Sequence, residues 1–104
     1  MLVVVLALHL ACLSAPWLAT PGALVCFALT TPCTILGITL GYHRLLTHRS
    51  FACQLWLERL LSVWGSLSLQ GGPNTWVAVH RQHHKHSDHE LDPHNSRRGL
   101  WWSH

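Results

Sequence analysis

The feature that most constrains this chain is a gap in its charge. From Met1 to Tyr42 there is no Asp, Glu, Lys or Arg, and the first formal charge is Arg44. A water-soluble domain of 104 residues has too much surface for its volume to hide such a run, which would stay exposed as an aggregation-prone apolar patch. Charged residues make up 11% of the chain, against roughly a quarter in a typical soluble domain. The ten histidines are as unevenly placed, with seven between His80 and His104. The length allows one small domain at most. A disordered first half and a secreted disulfide scaffold are both excluded, which leaves a membrane segment joined to a histidine-rich polar segment.

Cys12, Cys26, Cys33 and Cys53 show no CxxC spacing and read as small apolar filler. The net charge of +3 comes without the interleaving of basic and aromatic residues that marks a nucleic-acid surface, so no nucleic-acid partner is expected.

Residues 2–18 and 23–41 are apolar stretches separated by Pro16, Pro21 and Gly22. Each holds roughly 17 to 20 residues, near the length that crosses about 30 Å of hydrocarbon at about 1.5 Å per residue. A Pro/Gly cluster does not continue a helix and suits a tight turn. The expectation is therefore an all-α, integral-membrane fold that opens with a helical hairpin. A cleaved signal peptide ending near Ser14-Ala15 is the competing reading, but it lacks a basic leader and a second apolar stretch follows at once. Arg44, Arg49 and Arg59 follow the second stretch and place both ends of the hairpin on the cytoplasmic side. His9, alone among apolar residues, reads as a hydrogen-bonded packing residue.

Residues 53–69 are again apolar but carry Glu58 and Arg59 beside Trp56 and Trp64, which suits a helix lying in the membrane interface or packed against the cytoplasmic ends of the hairpin. Gln70-Gly71-Gly72-Pro73 ends it. Residues 74–104 form a cytoplasmic histidine-rich region, with a short helix through His84 and then a polar loop containing Asp92-Pro93.

Two histidine groups carry the chemistry. His80, His83 and His84 stand at i, i+3 and i+4, so a helix projects all three imidazoles from one face. His43 and His48 are five apart, about 140° around a regular α-helix, and either share a face because the helix ends or distorts between them or line different sides of a metal cluster. Neutral imidazole binds iron, zinc and copper. Five histidines without matching thiolates do not make a cysteine-type zinc finger. They also exceed a two-histidine, one-carboxylate mononuclear iron site and suit a two-metal site instead. The bland alternative is a histidine-rich surface loop without metal.

At these positions the sequence resembles the membrane fatty acid desaturase family, nearest its Δ9-type, stearoyl-CoA desaturase-like branch. His43-Arg-Leu-Leu-Thr-His48, within Gly37 to Phe51, is similar to the family's first histidine box. Trp76-Val-Ala-Val-His-Arg-Gln-His-His84 is similar to the second, and Asp92-Pro-His-Asn-Ser-Arg-Arg-Gly99 with Trp101-Trp-Ser-His104 resembles the stretch that follows. The resemblance implies that His43, His48, His80, His83 and His84 are ligands of two non-haem iron ions, with no catalytic side chain besides them. It implies a reaction that uses O2 and two electrons from a donor such as cytochrome b5 or ferredoxin to place a cis double bond in a long saturated acyl chain. An unactivated C–H bond offers no acidic proton to a side-chain base, so such chemistry needs a redox metal and a tunnel that fixes one methylene pair. The resemblance further implies that Gln70 and Trp76 shape that tunnel; ordinary interfacial packing is the alternative for Trp76. His86, His89, His94 and His104 do not match its ligand positions and suit hydrogen bonding around the ligands or loop structure. Arg97 and Arg98 suit an anionic headgroup or a solvated basic pair.

The chain also departs from the family. A third box of the HxxHH type, expected far downstream, does not occur in these 104 residues. Gly71, Ala78 and Val79 stand where the animal acyl-CoA members carry an Asn and an Arg-Asp pair, which leaves acyl-CoA and an acyl chain esterified in a lipid both open as substrate. A related histidine-box hydroxylase and a small membrane-anchored metal-binding protein without catalysis are the other readings weighed. The expected picture is a segment of a desaturase with an incomplete metal site. The 104 residues reconstituted alone with an electron donor and a saturated acyl substrate should give no unsaturated product; turnover detected by mass spectrometry would overturn that.

Overall fold

The structure, a computed structural model, describes residues 2–99, and the expected features at Trp101, Trp102 and His104 lie outside them. Among the described residues the fold is all helical, with no strand. The chain divides into one compact unit of residues 1–31 and a second of residues 32–104.

In the first unit, the stretch expected to be one helix over 2–18 is two: α1 spans Leu2–Cys12 and α2 spans Ala15–Leu18. The break has a local cause. Ser14 Oγ donates to Ala11 O at 2.7 Å, the last turn of α1 tightens into i→i−3 bonds at Leu13 and Ser14, and Pro16 has no N–H to continue the ladder. His9 Nδ1 bonds to Val5 O at 2.7 Å, one turn back on α1. The next helix, α3, spans Pro21–Leu36. Thr20 caps it by accepting from the Ala23 N–H at 3.2 Å, and Pro21 occupies the first turn, where its missing N–H costs nothing.

α3 runs on without a break into a π-helix, Gly37–Thr47. Together they make a helix of 27 residues, Pro21–Thr47, which is long and apolar enough to cross a membrane. It extends beyond both ends of the expected 23–41 span and passes through Pro32. Its exposed side chains include Leu24, Phe27, Leu29 and Ile35. It closes with Arg49 in the left-handed region (φ 49°) and Ser50 N–H donating to Arg44 O at 3.0 Å, a wider version of the loop closure that ends many α-helices.

In the second unit the π-helix packs on α4, Leu55–Ser66, and on α5, Pro73–His86. Helix α4 lies inside the expected 53–69 element, and α5 runs two residues past the expected His84. The core is small: among the described residues, Tyr42, Leu45 and Leu61 are the buried apolar side chains. Glycines let the helices approach this closely. A methyl group at Gly37 would collide with the backbone of Trp64 and Gly65, and one at Gly65 would sit 2.6 Å from Tyr42 Cε1. Tyr42 is fully buried, and its hydroxyl bonds Ser66 Oγ at 2.8 Å and lies 3.3 Å from Gly71 O, joining the π-helix to α4 and to the turn before α5. Beyond α5, residues 87–95 fold around Asp92, and Asn95 accepts from the Arg97 N–H to cap a short 3-10 turn, Ser96–Arg98.

Gly65→Ala should therefore overpack the π-helix against α4 and lower stability by about 1–3 kcal/mol. Gly22→Ala, with nothing within 4 Å, should be neutral or slightly stabilising. Denaturant unfolding in detergent micelles, followed by helical circular dichroism, checks both; equal effects would contradict the close packing.

Candidate metal centre

The first question raised by the sequence was how His43 and His48 come to one face. The π-helix answers it. With i→i+5 bonding, residues five apart lie about one turn apart, and the His48 N–H itself donates to His43 O at 3.0 Å. Thr47 Oγ1 reinforces the same spacing by donating to Tyr42 O at 2.7 Å. The two imidazoles consequently stand edge to face, with ring centroids 4.6 Å apart.

On α5, His80 and His84 are one helical turn apart, and their Nε2 atoms lie 3.0 Å from each other. This pair faces the first: ring centroids are 4.8 Å apart for His43–His80 and 4.8 Å for His48–His84. His43, His48, His80 and His84 each offer one nitrogen, and the four nitrogens all lie within 4.8 Å of one another. Around a first-row divalent ion with metal–nitrogen bonds of about 2.0–2.1 Å, adjacent ligands stand about 3–3.4 Å apart and opposite ones about 4.2 Å. The donor set thus fits one ion after small ring rotations.

His83 is placed differently. It lies outside the group of four, with its ring centroid 6.0 Å from that of His80 and 5.7 Å from that of His84. Its Nδ1 bonds Asp92 Oδ1 at 2.8 Å. Gln70 and Trp76 are brought together, the indole Nε1–H donating to Gln70 Oε1 at 3.1 Å. The indole also stacks on the His80 ring at 4.7 Å and 27°. Gln70, Thr75, Trp76, Val79, His80 and His94 line a cleft of about 370 Å³ beside the histidines.

Two residues that the histidine pattern did not single out hold this arrangement. The Arg81 guanidinium donates to Leu46 O at 3.1 Å and Thr47 O at 3.3 Å, tying α5 to the carbonyl end of the π-helix, where a cation is electrostatically favoured. The only sequence signal for it is an arginine between two histidines of the α5 group. The second residue is Asp92, whose signal was its place in a polar Asp-Pro loop after the histidines.

Electrostatics separates the two groups. Burial, followed by the charges that His84, His43, His48 and His83 would carry, pushes His80 from its ordinary 6.5 down to about 4. It is neutral, with a lone pair available, at physiological pH. Burial alone would raise the Asp92 carboxyl. Hydrogen bonds from the His83 ring and from the His94 and Asp88 N–H groups outweigh that and hold it at about 2.

The chain is 53% identical over 88 residues to the sn-1 stearoyl-lipid 9-desaturase of Anabaena variabilis, an overlap of 85% of this chain and 31% of the relative. The chain belongs to the fatty acid desaturase family. It is also 56% identical over 70 residues to the sn-2 palmitoyl-lipid 9-desaturase of Nostoc sp. (strain 36), covering 66% of this chain and 25% of that enzyme. With the Acyl-CoA C20 Delta5-desaturase of Anemone leveillei it shares 46% identity over 98 residues, 93% of this chain and 31% of the relative. The chain thus spans about a quarter to a third of the length of these desaturases. No family model matches it, and no solved structure does.

The His80 shift has a testable consequence. The unfolded chain takes up a proton near pH 6.5, whereas folded His80 does so only near 4, so its contribution to stability is full above about pH 6.5 and is lost as the pH falls toward 4. Asp92 adds a second loss between about 3.8 and 2. Unfolding of the metal-free chain at stepped pH should show the first decline, flattened by His80→Phe. A stability independent of pH from 7 to 4 would contradict it.

Proposed function

We propose that this chain supplies part of the metal centre of a membrane-bound desaturase that introduces a cis double bond, at the Δ9 position, into a long saturated acyl chain. One observation carries the reading: a π-helix and an α-helix converge four imidazole nitrogens to a spacing that suits one first-row ion. His83 would serve as a fifth ligand, and two iron ions would occupy the complete centre. Bound iron would supply the redox chemistry, using O2 and two electrons to take hydrogen from adjacent methylenes.

This chain's own residues do the rest. His80, neutral at physiological pH, offers a lone pair without first losing a proton. Arg81 fixes the distance between the two ligand-bearing helices. Trp76, held by Gln70 and stacked on His80, forms an apolar wall of the cleft next to the ligands. An acyl chain in that cleft would be aligned and shielded from water. The apolar helix Leu2–Cys12 and the part of Pro21–Thr47 that precedes Tyr42 would lie in the bilayer, with Arg44, Arg49 and Arg59 on the cytoplasmic side, where an electron donor such as cytochrome b5 or ferredoxin would dock. The 9-desaturase names of the Anabaena variabilis and Nostoc relatives support the position of the double bond, whereas the Anemone leveillei relative is named a Delta5-desaturase; the names include both acyl-lipid and acyl-CoA desaturases.

Metal titration of the chain in micelles tests the centre. Fe(II) or Co(II) should bind, and His48→Ala and His84→Ala should each weaken binding at least about ten-fold, while His89→Ala should not. Equal losses in all three would sink the assignment. For the reaction, this chain can replace the matching segment of the Anabaena variabilis enzyme. The chimera should form a 9-monounsaturated product, abolished by His48→Ala; a hydroxylated acyl product would refute desaturation.

A further inference from the structure

Asp92 is the one acid among the fully buried side chains, with 1% of its surface exposed. A carboxylate so enclosed needs donors, and it has three. Oδ1 accepts from His83 Nδ1 and from the His94 N–H, both at 2.8 Å, and Oδ2 accepts from the Asp88 N–H at 2.9 Å. The two backbone donors belong to the turn itself, with Asp88 in the left-handed region (φ 63°). The third comes from a side chain of α5.

We infer that Asp92 is a positioning residue that locks His83 in its Nδ1–H tautomer, leaving the Nε2 lone pair as a metal donor beside the four-histidine group. A neutral imidazole carries one N–H. With that proton on Nε2, the Nδ1 lone pair would face the carboxylate and a buried charge would lose one of its donors, a strongly unfavourable arrangement. With the proton on Nδ1, Nε2 is the only nitrogen free to bind a metal. The carboxylate–imidazole pair is the device by which proteins orient histidine ligands and raise their basicity.

The position of His83 suits this role. Its ring is 6.0 Å from His80 and 5.7 Å from His84, so it adjoins the four-nitrogen group without belonging to it. Paired ions in two-metal sites stand about 3.5–4 Å apart, and a donor at the edge of the first site is placed to reach a second. The inference rests on the metal reading for the use made of Nε2, but the tautomer does not depend on it.

Imidazole ¹⁵N NMR of the metal-free chain in micelles, with labelled histidine, reads the tautomer directly. His83 should be Nδ1–H in the native chain and in Asp92→Asn, which keeps an acceptor oxygen, and should shift to Nε2–H in Asp92→Ala. Co(II) affinity should fall about 10–100-fold in Asp92→Ala and recover largely in Asp92→Asn. Asp92→Ala combined with His83→Phe should bind no more weakly than His83→Phe alone. An unshifted tautomer in Asp92→Ala, or losses that add in the double variant, would overturn the inference in favour of a merely structural turn. If Asp92→Ala does not fold, the native tautomer decides, and Nε2–H at His83 overturns it. A native chain with the Nδ1–H tautomer that binds no ion overturns the metal role of Nε2 while upholding the Asp92–His83 pairing.

Discussion

The arrangement depends on one backbone choice, the i→i+5 register of Gly37–Thr47. In a regular α-helix the first two histidines would stand about 140° apart instead of on one face. The wider register is costly in itself, since its hydrogen bonding is poorer and it is rare outside functional segments. Here other contacts offset the cost: Tyr42 fully buried in the contact with α4, Thr47 bonded five residues back, and Arg81 placed over the last carbonyls. The small core and the histidine cluster are therefore built by the same helix contacts. Tyr42 faces α4 and the next residue, His43, faces the imidazoles of α5.

Glycine makes this possible on the other side of the helix. Gly37 meets Gly65 at a distance that leaves no room for a side chain, and a methyl group at Gly41 would press on Leu61 at 3.0 Å. The apolar surface buried in this way is modest. Close backbone approach and a few well-formed polar contacts, rather than a large core, hold the second unit together.

Much of the site was legible in the sequence, and the reasons are specific. His80 and His84 were read correctly as neighbours because α-helical spacing is regular, and the His43–His48 problem was stated in the right terms, with distortion as one way out. That a π-helix supplies the distortion was not readable, because no residue pattern in Gly37–Thr47 announces it. Similarly, Asp92 is a loop residue whose partner lies nine positions back on a helix, a relation that periodicity does not encode. In the apolar half, proline proved an ambiguous signal. Pro16 interrupts a helix where Ser14 also bonds back to Ala11, whereas Pro32 sits inside one that continues. Apolar content alone had joined what the backbone divides.

The indole of Trp76 gives the centre two unlike sides. One edge of the ring is tied to Gln70 and one face lies on His80, so neither side chain can turn independently of the other. His43 and His80 are half-buried on that side, while His48 and His84 are exposed. Enclosure within the four-histidine group is accordingly graded: the two rings on the side of the cleft are half-covered by their neighbours, and the two on the far side face solvent.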